Sequence, residues 1–140
     1  MTDSAWSDER GEAALRKADA LARREAGESR QAAELIKQFV ADAVAAGITP
    51  EPLSARSYDG NSRYRTNLTG WYLKQNHSVA VDADGNFYVL TAPPRFMSRF
   101  TGTTVEPSPP PLELGKGGRD GESMPIATAL EKRLDGGNDW

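Results

Sequence analysis

Residues 114–123 read LGKGGRDGES and gather Lys116 and Arg119 among four glycines, the materials of an anion cradle. Glycines let backbone N–H groups converge on a phosphate, and the two cations would add charge. The spacing fits no standard loop. Lys116 follows the first glycine and no Gly-Lys-Ser/Thr closes the segment, while the glycines fall as GxGGxxG and not as the dinucleotide pattern. Asp120 and Glu122 would repel an incoming anion. The loop therefore reads as structural, with an anion- or nucleotide-binding enzyme at Lys116 and Arg119 as the alternative.

Other chemistry is sparse. The chain has no cysteine, which removes disulfides, thiolate nucleophiles and Cys-ligated zinc, and its one histidine, His77, sits in the turn-like KQNHS. Asp82 and Asp84 share one side of a strand end and are the remaining carboxylate pair, but acids at turns do this routinely. DADGN at 82–86 fails as a calcium loop because Gly85 comes too early and no terminal Glu follows. A hairpin turn is the simpler reading. No catalytic residue, metal ligand or cofactor is assigned, and an enzyme is the weaker class.

Charge and aromatic rings point instead to binding. The net charge of −3 is uneven: residues 54–119 hold eight Lys/Arg against five Asp/Glu, and both flanking segments are acidic. That middle also holds eight of the eleven aromatics. Arg63, Arg65, Trp71, Tyr72 and Tyr88 are the candidate contacts for a protein partner, since Tyr, Trp and Arg are enriched in interfaces. The alternative is RNA or single-stranded nucleic acid on the same face, with rings stacking on bases and Arg neutralising phosphate.

These residues need a scaffold, and hydrophobic periodicity supplies one. SDERGEAALRKADALARREA at 7–26 predicts a helix with a mostly alanine stripe. After Gly27, residues 30–46 predict a second, with Ala32, Leu35, Ile36, Phe39, Val40, Ala43 and Val44 on its buried face and Gly47 ending it. Strands near 70–74, 78–82 and 86–91 alternate as an antiparallel meander turning at Asp84-Gly85. Trp71, Leu73, Val79, Val81, Phe87 and Val89 share the face expected to meet the second helix. Tyr72, Lys74, Ala80, Tyr88 and Leu90 share the other. A fourth, edge strand is expected at 103–106, and Ser123 is expected to cap a last helix. The fold class is α+β: N-terminal helices, a three- to four-stranded antiparallel meander and a C-terminal helix. Residues 1–28 read as a helical appendage, 29–135 as one domain and 136–140 as a frayed tail.

GWYLKQNHSVAVDADGNFYVL followed by PPLELGKGGRDGES resembles small uncharacterised actinobacterial proteins that pair a GWYL strand, a DG hairpin ending in FYVL and a GRDGES loop. The resemblance spans roughly residues 30–135. It implies a bacterial setting and one α+β domain, and brings no activity. The N-terminus has no basic start or apolar core of a leader, and no run reaches the roughly 20 apolar residues of a membrane helix. A cytoplasmic protein without a membrane partner is expected.

Overall fold

The computed structural model describes residues 2–92, 105–115 and 123–140. The fold is α+β, as the periodicity predicts, with one difference at the start. A single helix α1 runs from Thr2 to Ala45, 44 residues without a break at Gly27. An interior glycine costs only about 1 kcal/mol relative to alanine, and strong helix formers on both sides absorb it. In residues 8–31 no side chain is buried; burial begins at Ala32 and continues through Ile36, Phe39 and Ala43, whereas Leu35 and Val44, expected on the same face, fall at its edges and are 39% and 64% exposed. The appendage expected for 1–28 is thus the outer part of the core helix itself. Gly47, at φ 74°, ends α1: its N–H bonds the Val44 carbonyl and the Ile48 N–H reaches back to Ala43. This pair of bonds caps the last carbonyls and turns Ile48 into the core.

Four antiparallel strands follow: β1 (Glu51–Ser57), β2 (Arg63–Tyr72), β3 (Val79–Asp82) and β4 (Phe87–Val89). The short β5 (Thr91–Ala92) comes one residue after β4, yet it pairs in parallel with β1 at the opposite end of the sheet. Leu90, between them, explains how. Its N–H donates to the Ser78 carbonyl at 2.9 Å, and its carbonyl accepts from the Arg56 N–H at 2.8 Å. One residue is bonded to both ends of the sheet, so the sheet closes on itself as a small barrel. At Gly70 the strands approach so closely that a methyl group would lie 2.0 Å from the Val81 carbonyl oxygen.

Closure creates two cores. Outside the barrel, Trp71, Leu73, Val79, Val81 and Phe87 pack with Phe39 and Ile36 of α1 and with the C-terminal helix α2 (Ile126–Gly136). Inside it, Leu53, Ala55, Tyr72, Ala80, Tyr88, Leu90 and Val105 form the second. The alternation read from the sequence is the one observed, except that Val89 is 43% exposed.

Residues 105–107 form no strand, although Val105 is buried; the rest of the expected edge strand lies outside the described residues. Ser108 of the proline-rich PSPPP donates to the Phe87 carbonyl at 2.8 Å and covers β4. The two-residue strands β6 (Glu113–Leu114) and β7 (Met124–Pro125) pair across the glycine-rich stretch. That pairing changes the start of α2. Pro125, not Ser123, holds the cap position, and the Ile126 N–H is met by the Leu112 carbonyl at 2.7 Å. Residues 136–140 are not a loose end either. The Asn138 amide donates to the Gly47 carbonyl and accepts from the Thr49 N–H, and Trp140 lies 4.6 Å from the Arg133 guanidinium. Among the described residues no helix is long and apolar enough to cross a membrane.

Candidate functional site

The aromatic candidates are interior. Trp71, Tyr72 and Tyr88 are 1%, 3% and 4% exposed. Trp71 meets Phe39 edge to face at 5.9 Å and donates its indole N–H to the Ile48 carbonyl at 3.0 Å. Tyr72 accepts the Ser54 N–H at its hydroxyl and stacks on His77, with centroids 3.8 Å apart. Tyr88 donates to Asp82 at 2.7 Å, and burial with that carboxylate pushes its phenol up to about 12. A partner would have to open the barrel to touch Tyr72 and Tyr88, and lift α1 to touch Trp71. Alternation in the sequence identifies the two faces, but only closure decides that both are covered.

The charged candidates are on the surface. Along β2 the odd residues point outward, and Arg63, Arg65, Asn67 and Thr69 are exposed until Trp71 passes beneath the helices. The register sets Arg63 directly opposite Arg56 of β1, and Arg65 opposite Ser54. Ser57 donates to the Ser62 carbonyl, which makes 57/62 and 55/64 the hydrogen-bonded pairs. Arg56 and Arg63 are then a non-hydrogen-bonded pair, the kind whose side chains stand closest. Like charges placed so are destabilising. Among the described residues none of these three arginines is ion-paired. Arg56 escapes a sequence reading because residues 53–69 look turn-rich, although SARS and RYRTN do alternate.

Two more features border this face. His77, with φ 60° and half-buried, is kept below its usual range by burial and then by the nearby Arg56 charge. The side of β2 away from β1 is the other feature. β3 pairs only with Gly70, Trp71 and Tyr72, so residues 63–69 have no strand beside them on that side among the described residues. Antiparallel alternation aims the backbone groups of Arg63 and Arg65 toward it.

The remaining candidates separate from this face. Asp82 is the acceptor of its turn, taking the Asp84 and Asn86 N–H groups as well as the Tyr88 hydroxyl, so the Asp82 and Asp84 pair shapes a hairpin. Lys116 and Arg119 lie outside the described residues. A groove of about 490 Å³ between the β2–β3 turn and α2 is walled by Lys74, Met124, Lys132 and Trp140. No group of acidic, His or Cys side chains suited to a metal ion occurs among the described residues. No family model, curated protein or solved structure matches the chain.

Proposed function

We propose that this chain is a non-enzymatic binding module whose β1–β2 face takes an extended acidic segment of a protein partner. The observation that carries the reading is the Arg56–Arg63 pair: two arginines opposed across a ladder, with Arg65 beside them and none of the three ion-paired among the described residues. A like-charged pair weakens the fold, and an arriving anion relieves it. Locally unfavourable arrangements of this kind concentrate at functional sites. The far side of β2 supports an extended segment in particular, because among the described residues no strand lies beside Arg63 and Arg65 there and an added strand would run next to the arginines. Burial of Trp71, Tyr72 and Tyr88 works against single-stranded nucleic acid, whose recognition depends on stacking platforms.

Fluorescence anisotropy at low salt with a labelled acidic peptide and a labelled oligothymidine tests this. The peptide should bind, be released as salt rises, and lose at least about tenfold in affinity, a difference of ~1.4 kcal/mol, in R56S/R63S/R65S. Oligothymidine bound more tightly than the peptide transfers the face to nucleic acid. Binding of neither sinks the proposal.

A further inference from the structure

The groove between the β2–β3 turn and α2 holds about 490 Å³, within the roughly 300–1,000 Å³ of small-molecule sites. Leu73, Met124, Ala129 and Trp140 supply the apolar part of its lining, and Lys74, Lys132 and Asn76 supply polar groups. Among the described residues that line it, none is acidic.

The charges come from both sides. Lys74 belongs to the turn and is 8% exposed, a degree of burial that lysine rarely reaches. Lys132 belongs to α2 and is exposed at the rim. The acids nearest to it along the helix are Glu131, which as an adjacent residue faces elsewhere, and Asp135, three residues on. Neither is ion-paired with it. Asn76 accepts the Ser78 N–H at its side-chain oxygen, at 3.0 Å, which leaves the NH2 of its amide as a donor.

Trp140 is set in place by its neighbours. At Gly136 a methyl group would lie 2.5 Å from Trp140 Cδ1 and 2.7 Å from its Cβ, so the indole takes up room that only glycine leaves. Against the ring stands the Arg133 guanidinium, 4.6 Å from the centroid and 5% exposed. It donates to the Gly137 carbonyl at 2.7 Å, and its Nε has no hydrogen-bond partner. This buried cation adds positive potential to the wall that Trp140 forms. A bare inorganic anion would leave the apolar lining unmatched. A flat ring suits the indole face, and its edge suits the Met124 sulfur.

We infer that this groove is a binding site for a small flat anion of the aromatic carboxylate class, its ring against Trp140 and Met124 and its carboxylate drawn to Lys74 and Lys132. The site is independent of the arginine face.

An NMR titration of the full chain with naphthoate should give saturable shifts at the amides of Lys74, Asn76 and Ala129 and at the Trp140 indole N–H. The Kd should be about 1 mM or tighter for a ligand this small. Naphthylmethanol, the neutral counterpart, and inorganic phosphate should each bind at least about tenfold more weakly. K132E, at an exposed position, should lower naphthoate affinity at least about tenfold, and K132R should keep it. K74M, which keeps the packing of the stem, should lower it as K132E does. No saturable shift up to about 10 mM naphthoate overturns the inference. So do shifts confined to the β1–β2 face, naphthylmethanol binding as tightly as naphthoate, or K132E binding naphthoate as the natural chain does.

Discussion

Trp71 and Ile48 are joined by a buried hydrogen bond of 3.0 Å between the indole N–H and the backbone carbonyl, 23 residues apart in sequence. The bond ties the end of β2 to the turn that leaves α1, so the helix cannot slide on the barrel without breaking it. W71F keeps an aromatic ring against Phe39 but strands the Ile48 carbonyl. It should cost about 1–3 kcal/mol, the penalty for an unsatisfied buried acceptor, in a denaturant titration. W71A should cost more, about 3–5 kcal/mol.

Relief of the Arg56–Arg63 opposition should separate stability from binding. R63T removes one charge and places a β-branched residue on a strand. It should stabilise the fold by a few tenths to about 1 kcal/mol while weakening acidic peptides. A stability loss in thermal unfolding would mean that the arginines are held by the fold and not opposed within it.

Tyr88 supplies a pH test. Its phenol, normally near 10, is raised to about 12 in the folded chain, so the unfolded state releases the proton first. The stability it contributes is fully present below pH 10 and lost as pH rises through 12. Y88F, lacking the bond to Asp82, should be less stable at pH 7, and its gap to the natural chain should narrow between pH 10 and 12. A gap constant with pH would show that the Tyr88 proton is not coupled to folding.

Much of this was legible in the sequence, for reasons that differ by segment. Period-3.6 spacing exposes Ile36, Phe39 and Ala43, and period-2 spacing sorts Trp71, Val79, Val81 and Phe87 from Tyr72, Ala80, Tyr88 and Leu90, because both patterns are local. Sheet closure is not local. Whether Tyr72 and Tyr88 face solvent depends on Leu90 reaching Arg56, a relation that no window of sequence contains. The hairpin of β1 and β2 is hidden for another reason: its outward residues are charged, and only Leu53, Ala55 and half-buried Tyr64 and Leu68 mark the inner side. Gly27 misleads as a stop because a helix interrupted by one glycine and a helix broken by it differ by only about 1 kcal/mol.

The end of the chain offers a smaller test. Asn138 bonds both Gly47 and Thr49 with its side-chain amide, at 3.1 and 2.9 Å, at an exposed position. N138A should cost about 1 kcal/mol in thermal unfolding, the worth of ordinary hydrogen bonds open to water. No change would return residues 136–140 to the status of a tail.

Leu90 closes the barrel, and closure has an order in time. The helices and the β1–β2 and β3–β4 hairpins join residues near in sequence, whereas the Leu90 to Arg56 bond spans a loop of more than thirty residues and meets Ser78 as well. Contacts made late carry low φ-values, and truncating them speeds unfolding more than it slows folding. L90A should therefore lengthen the life of an open sheet whose inner face displays Leu53, Tyr72 and Tyr88 to solvent. The same leucine that completes the fold would then set how long the chain stays folded before it opens.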